Sequence, residues 1–520
     1  MQHTEIDSEV AIVGAGPVGL TLAMLLRSHG ISVRVFEAHD GLSRHPKARG
    51  IAASSMETFR GLGMEAAVRS VSLPAEHVRF FRGASLVDPD AELTSGAAGE
   101  GSPNTPSPGA LCSQDRLEPV LAAAAREAGA DVRFGARVTA VSETADAVDL
   151  RVAQGQWAGL YRANYVVGCD GPRSLVRDEA GIELRGEQDL SRFLSIRFRA
   201  PLGDAVRGRE ATSYFISEGK GGFLAIDNDT QWIYQYPVGP VTDISALRAD
   251  GAEQVRLVRD AAGIPALSVA IEDTMLWRMD ACVAETFRVG RLLIAGDAAH
   301  QTPPTGGHGM NVGIADALTL AWQLAAVVRG RADDALLDRY SAERRPLASA
   351  VVERSLDNSG KAYGIDDELL LTSGYSPAPP LLLQGYAPAG DVGRRLPHVP
   401  VSADGAVSSV DLGWGQTRVV VGADAQAWRA RVAELEGSGA LSAPVRIVVI
   451  RGDAANGSAA AGPEEGLSAL FAEVAGVREG DALLVRPDGH IAARYSVGTQ
   501  ERGDWLRGAV GQMLTGGESL

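Results

Sequence analysis

Residues 10–37 read VAIVGAGPVGLTLAMLLRSHGISVRVFE, and this stretch decides the fold. Val10 to Val13 is a short apolar run of the kind that forms a buried parallel strand. Gly14, Gly16 and Gly19 follow, with Pro17 between the last two, and Leu20 to Ser28 reads as a helix ended by His29-Gly30. Ile31 to Phe36 then alternates like a second strand, completing a βαβ unit. The first glycine makes a tight turn, the second admits a phosphate to the backbone, and the third lets helix pack on strand. The helix start offers unpaired N–H groups and a positive dipole end to that phosphate. Glu37, 18 residues past Gly19, is placed to accept hydrogen bonds from an adenosine ribose. The unit predicts a dinucleotide site in a Rossmann-like domain, without separating NAD from FAD.

Composition narrows the rest. At ~150 residues per domain, 520 residues suggest three to four units or two large ones. An apolar fraction of 45% and a charged fraction of 22% are ordinary globular usage, which excludes disorder and fibrous structure for the bulk of the chain. Lys and Arg number 49 against 65 Asp and Glu, so the net charge is −16. Such a surface repels phosphate backbones and anionic lipid, so neither nucleic acid nor membrane is expected as the main partner. The three cysteines, Cys112, Cys169 and Cys282, are far apart in sequence. They form no CxxC pair and no closely spaced zinc set, so no metal is expected, and they fit a reducing compartment. Val10 to Leu26 carries no charge, yet Glu5, Asp7 and Glu9 precede it and glycines interrupt it. The expectation is a cytoplasmic protein with no signal peptide and no membrane span.

Further along, Leu117 to Ala128 reads as a helix, and Val132 to Val141 and Tyr165 to Val167 as strands. From Leu194 to Tyr236 the texture turns β-rich, and alternation puts Trp232, Tyr234 and Tyr236 on one face. That stripe reads as sheet core first and as a stacking surface second. Leu292 to Ala295 is a buried strand, and helices are expected over Asn311–Val328 and Ser341–Asn358. Asp88 to Gly109 and Ser376 to Pro397 are irregular and rich in Gly, Ser or Pro; the first suits a lid and the second a boundary. Beyond it the chain restarts with strands at Arg418–Val421, Val445–Ile450 and Ala482–Val485, and helices at Ala425–Leu435 and Glu465–Ala475.

Two further motifs bear on chemistry. Gly290 to His300 (GRLLIAGDAAH) is a buried strand ending in Gly296-Asp297, followed by Pro303, Pro304 and Gly306-Gly307-His308-Gly309-Met310-Asn311 before a long helix. An aspartate directly after a parallel strand can accept bonds from a polyol such as ribityl. A glycine-rich turn before a helix lets backbone N–H groups stabilise the anionic edge of a reduced flavin. Gly168 to Arg177 (GCDGPRSLVR) is an Asp-Gly turn after a strand, unremarkable by itself.

In this order and spacing, the three motifs resemble the class A flavoprotein monooxygenases with a para-hydroxybenzoate hydroxylase-like core. Within that family the chain is most similar to phenol and chlorophenol hydroxylases and to tailoring hydroxylases of aromatic natural products. Ser113-Gln114-Asp115-Arg116-Leu117-Glu118, Arg197-Phe198-Arg199-Ala200 and Arg486-Pro487-Asp488-Gly489 extend the likeness over nearly the whole chain. The resemblance implies an α/β fold: a Rossmann-like FAD-binding domain, an interleaved β-sheet substrate domain and a C-terminal thioredoxin-like domain. The expected segments are 1–190 and 276–380 for the FAD domain, 191–275 for the substrate sheet, 381–397 for a linker and 398–520 for the last domain. It further implies that Gly14, Gly16, Pro17 and Gly19 hold the FAD pyrophosphate, Glu37 the ribose, and Arg49 the same cofactor. Gln114 would lie near the ribityl or ring, Asp297 on the ribityl, and Asp170 by the pyrophosphate region and NAD(P)H. Pro303 and Gly306 to Asn311 would line the isoalloxazine. Where the family often has glutamine or arginine, this chain has His308, which reads equally as a flavin-edge donor or a solvent-facing loop residue.

The resemblance also implies the reaction. NADPH or NADH docks transiently and reduces FAD, O2 gives a flavin C4a-hydroperoxide, and an aromatic substrate is hydroxylated, in natural-product tailoring or aromatic catabolism. No acid–base residue stands out; Arg44, Lys47, Arg197 and Tyr236 are candidates for substrate contact. Baeyer–Villiger or other ring cleavage on the same scaffold stays open, as does a non-oxygenating flavin reductase or an FAD-binding scaffold. The last domain has no cysteine and cannot act through thiols, so packing or homodimer contacts are its expected job.

Overall fold

The central parallel strands carry apolar runs, Val10 to Val13, Tyr165 to Val167 and Leu292 to Ile294, that need cover on both faces, and helices supply it here. The computed structural model describes residues 5–43, 45, 48–74, 77, 79–95, 103–239, 243–358, 370, 374–375, 389–402, 405–421, 425–449, 469–478 and 480–515. Arg44, Lys47, positions 96–102 of the expected lid and 381–388 of the expected linker lie outside the described residues.

In the first sheet, β1 (Ser8–Val13), β2 (Val33–Phe36), β7 (Asp131–Arg133), β10 (Trp157–Gly168) and β17 (Leu292–Ile294) run parallel in the order β17-β10-β1-β2-β7. β16 (Arg288–Val289) pairs antiparallel at one edge, and β8 (Arg137–Glu143) and β9 (Val148–Gln154) form a meander with β10. Helices α1 (Pro17–Ser28), α4 (Gln114–Glu127), α9 (Gly309–Val328) and α10 (Leu336–Asp357) contribute to the same core. Strand order reverses between β1 and β10, and in open α/β sheets ligands bind in the crevice at that switch. α9 is long and apolar enough to cross a membrane by length and composition, but 78% of its apolar window is buried within the fold.

The second sheet runs β18 (His300–Gln301), β15 (Ala270–Ala284), β11 (Leu184–Arg199), β14 (Gln231–Pro237), β13 (Gly221–Ala225), β12 (Ser213–Ile216), β4 (Arg79–Gly83), β5 (Glu92–Ser95). Its last two strands come from residues 79–95, inside the segment expected to be FAD domain and irregular loop. Four- and five-residue edge strands flanked by turn formers leave little periodic signal. Leu194, Ile196 and Phe198 face Tyr236, Tyr234 and Trp232 across the β11–β14 pair. All six pack with α7 (Ile244–Ala249) and α8 (Gly251–Ala262) in one apolar cluster. The aromatic stripe is therefore sheet core, and Tyr236 stands on the side away from the crevice. Alternation shows which residues share a face; it does not show which face receives the helices.

Short helices α2 (Ala53–Gly61), α3 (Glu65–Ser70), α5 (Leu175–Glu179) and α6 (Gly203–Val206) fill connections, and β3 (Gly50–Ile51) pairs with β6 (Ala110–Leu111). The third sheet is β20 (Arg446–Val449), β19 (Arg418–Val421), β21 (Ala482–Val485), β22 (Ile491–Tyr495), with only β19 and β20 parallel. With α11 (Ala425–Gly437), α12 (Ala469–Val474) and α13 (Arg502–Met513) it makes the βαβ-α-ββα order of a thioredoxin-like domain.

That domain docks through the Arg-Pro-Asp-Gly motif. Arg486, 1% exposed, donates to both Glu343 carboxylate oxygens of α10 at 2.9 Å and to Asp488 Oδ1 at 3.1 Å. Trp322 of α9 donates its indole N–H to Asp488 Oδ2 at 3.1 Å, and the Arg486 guanidinium lies 4.0 Å from the Tyr375 ring centroid. Burial alone would raise the Asp488 pKa, but Arg486 and His490 hold it far below the carboxylate range. Arg486→Met removes the guanidinium shared by two buried carboxylates, leaving Glu343 with Arg339 and Asp488 with His490, and should lower unfolding free energy by about 3 kcal/mol, read by urea denaturation at neutral pH. The Asp488 pKa is depressed in the fold, so its contribution is complete above the ordinary value of 3.8 and fades below it. The gap between wild type and variant should narrow accordingly in acid.

Candidate active site

The loops after β1 and β10 nearly touch. Gly14 has φ +104°, and a Cβ there would sit 2.2 Å from the Cys169 carbonyl oxygen. A Cβ on Gly19 would sit 2.1 Å from the Gly14 carbonyl oxygen. The protein's own packing demands both glycines. Gly16 is different, because a Cβ there would meet nothing within 4 Å. It opens space before the first turn of α1, which starts at Pro17, has no side-chain cap and leaves its first N–H groups without intrahelical acceptors. Glu37 braces this loop, its Oε2 accepting from Ala15 N and its Oε1 from His39 N, both at 2.9 Å. Burial would raise the Glu37 pKa, but these N–H donors and the His39 side chain bring it below the usual value. A ribose would share this carboxylate with the loop it supports.

Opposite, Asp170 Oδ2 accepts from Val176 N at 3.2 Å, while Oδ1 is buried without a hydrogen-bond partner and burial raises its pKa. Asp297 is exposed on the turn Gly296–Ala298 directly after β17. Beneath that turn lies Asp316 of α9, fully buried. Its Oδ2 accepts from Gly296 N at 3.2 Å and lies 2.7 Å from His300 Nε2, and its Oδ1 accepts from Arg344 Nε at 2.8 Å. Burial opposes ionisation there, but His300 and Arg344 hold the pKa below the ordinary value. Arg177 ties the two walls together, donating to the carbonyls of Pro172 at 3.1 Å and Ala298 at 3.3 Å.

The loop before α9 is mixed in role. Pro303 is buried, and Gly306 and Gly307 have φ +105° and +69°. His308 is 1% exposed, which rules out a solvent-facing loop residue; its ring covers Gly306, where a Cβ would sit 2.4 Å from Nε2. Gly309 begins α9 beside open space, a Cβ there reaching only Thr302 Cβ at 3.9 Å, whereas Met310 is buried in the core. Asn311 is a staple: Oδ1 accepts from Ala52 N at 2.8 Å, and Nδ2 donates to Gly50 O at 3.0 Å and Gly307 O at 2.7 Å. Gln114 is likewise occupied, accepting from Ala48 N at 3.2 Å and donating to Glu118 at 2.6 Å. Arg49 reaches the second sheet, donating to Thr212 O at 2.6 Å. Its Nη2 is buried with no hydrogen-bond partner, and desolvation pulls the guanidinium pKa down to about 10.

The free face of the second sheet closes the crevice. Ser195, Arg197 and Phe193 alternate with the core residues of β11 and share a face with Gln235 of β14 and Met275 and Trp277 of β15. His45, from the loop after β2, contacts Ser195 and Asp273, so this face is turned toward the FAD-type sheet. Phe193 and Trp277 stack at 4.7 Å and 14°, and Phe80 and Phe215 lie 6.4 Å apart on strands further along. Arg197 is a strut, 3.3 Å from Asp115 of α4 and 3.0 Å from Glu272, rather than a free substrate donor.

Residues 7–355 match the family model described as an FAD binding domain, and residues 389–515 that of the aromatic-ring hydroxylase C-terminal domain. The chain belongs to the class A flavoprotein monooxygenases. Tetracenomycin A2 monooxygenase-dioxygenase of Streptomyces glaucescens is 31% identical, covering 97% of this chain and 96% of its own. Aklavinone 12-hydroxylase RdmE of Streptomyces purpurascens is 33% identical over 99% of this chain and 100% of its own. The solved ternary complex of an aklavinone-11 hydroxylase with FAD and aklavinone matches with a TM-score of 0.85 at 30% identity, covering 98% and 99% of the two chains.

This class A monooxygenase is an FAD-dependent aromatic hydroxylase, and its residues fit the cofactor. The open space at Gly16 suits a pyrophosphate, and the orphaned Arg49 Nη2 is a cationic donor with no protein acceptor. Sequence reasoning passed over His45, Arg177, Asp316 and Arg344. A lone carboxylate in the apolar run of α9 was the available signal for Asp316; the others gain meaning only from distant partners. Because Gly16 faces no protein atom, Gly16→Ala should fold with a melting temperature within about 2 °C of wild type yet retain less than half the flavin, read as bound FAD per protein after gel filtration. Gly14→Ala, strained by φ and by the Cys169 carbonyl, should lose both flavin and stability.

Proposed function

We propose that this hydroxylase uses NADPH or NADH and O2 to hydroxylate a planar, multi-ring phenolic substrate in polyketide tailoring. The observation that carries this reading is the free face of the second sheet, where two aromatic pairs and a few polar groups look into the crevice. Full-length relatives named for tetracenomycin and aklavinone chemistry support the same substrate class.

In this reading Gly14, Gly16, Pro17 and Gly19 receive the FAD pyrophosphate, Glu37 the ribose, and Asp297 the ribityl chain. Asp170 lies by the pyrophosphate, Arg49 adds a cationic donor, and Pro303 with residues 306–311 borders the ring system. Reduced by NAD(P)H, bound FAD would supply an electrophilic oxygen as its C4a-hydroperoxide. The first-turn N–H groups of α9 and its dipole stabilise negative charge on the ring edge. Stacked apolar groups on the sheet exclude water and hold the substrate ring in a fixed plane.

The purified protein should carry FAD, oxidise NADPH or NADH faster when a polycyclic phenol is added, and place one atom of labelled O2 in a phenol product. A lactone product would assign Baeyer–Villiger chemistry instead. A protein that is colourless and cannot be reconstituted with FAD overturns the reading.

A further inference from the structure

Four side chains on the crevice face of the second sheet and His45, from the loop after β2, form one hydrogen-bonded line. Asp273 Oδ2 lies 3.0 Å from His45 Nδ1, and His45 Nε2 lies 2.6 Å from Ser195 Oγ. Gln235 Nε2 donates to Ser195 Oγ at 2.9 Å, and Trp277 Nε1 donates to Gln235 Oε1 at 2.8 Å. An indole N–H only donates, so the atom opposite it is the amide oxygen and the amide nitrogen must face Ser195. With neutral His45, Ser195 donates its proton to Nε2 and accepts from Gln235; with charged His45 it accepts from both. Either state keeps the Gln235 amide in the same orientation.

Burial separates the roles along this line. Ser195 is 0% exposed and His45 4%, so neither presents a polar atom to the crevice. Gln235 is half-buried, beside the stack that Trp277 makes with Phe193. Its register partner on β13 is Gly222, which places no side chain next to it. The amide has two N–H groups, and Ser195 takes one.

We propose that Gln235 is a specificity-determining residue that donates its second amide N–H to an oxygen of a planar polycyclic substrate. Ser195, His45 and Asp273 are positioning residues that hold the donor side of that amide toward the ligand. This deepens the aromatic-hydroxylase reading of the same face and rests on it. A polar donor on an otherwise apolar, stacking floor selects orientation, because a ligand seated the wrong way leaves the amide unpaired.

The test is equilibrium dialysis of 1,8-dihydroxyanthraquinone against the FAD-loaded full chain. Gln235→Leu should weaken binding roughly five- to tenfold, the range of one neutral hydrogen bond, with flavin content unchanged. Ser195→Ala should weaken it by a smaller factor, Ser195→Thr should restore it, and Ser195→Ala should add nothing in the Gln235→Leu background. Binding by Gln235→Leu within twofold of wild type overturns the assignment, as does a wild type that does not bind the probe. An undiminished Ser195→Ala effect in the Gln235→Leu background overturns the positioning role. Gln235-dependent binding without oxygen incorporation into any aromatic product would sink the hydroxylase reading and leave this contact standing.

Discussion

A carboxylate with no access to water must be matched on every side, and Asp316 is the point where this molecule meets that demand. It sits within an apolar helix and is answered by His300, Arg344 and the Gly296 amide. These partners come from the edge strand of the second sheet, the second long helix and the turn that carries Asp297. One buried charge thereby sets the relative positions of the nucleotide-type sheet, the β-sheet platform and the loop before α9. Removing a partner would leave a charge in a medium that cannot solvate it, so the three pieces hold one arrangement together. The exposed Asp297 owes its place to this buried neighbour.

The second sheet divides its work between two faces of the same strands. Large aromatics at Trp232, Tyr234 and Phe198 go to the helical layer, where area buried against α7 and α8 stabilises the sheet. The alternate positions carry smaller or polar residues with a few aromatics, and that less filled face remains for a ligand. Arg197 and Arg49 cross the gap as cations tied to the opposite wall, which keeps the crevice from collapsing onto the sheet. Polar groups in the crevice are thus spent largely on architecture, and Gln235 is notable for having a donor left.

The thioredoxin-like domain contributes packing. Its Arg-Pro-Asp-Gly loop inserts a buried guanidinium between Glu343 and Asp488 and against the rings of Trp322 and Tyr375. A second set of pairs reaches α2, where Arg395 holds Glu57 and Arg60 holds Asp411. α2 follows the strand that Asn311 staples, so the domain clamps the neighbourhood of the crevice without cysteine chemistry.

Much of this was legible in the chain alone, because it depends on local rules. A glycine needed for a turn, a helix begun at Pro17 and an acidic residue ending β2 are short-range requirements, and the βαβ unit stands where residues 10–37 place it. Three strands and two helices of the last domain were also readable, but the strand Ile491–Tyr495 and the helix Arg502–Met513 were not, and its thioredoxin-like character came from the family resemblance. What tertiary structure alone decided were the contacts between residues distant in sequence. Alternation grouped Trp232, Tyr234 and Tyr236 on one face, but only the docking of α7 and α8 made that face the core. Gln114 and Asn311 sit where a cofactor role was expected, yet backbone groups far along the chain occupy their side chains. His45, Ser195, Gln235 and Asp273 are unremarkable singly, and become one hydrogen-bonded line only when a loop after β2 crosses onto a sheet formed much later in sequence.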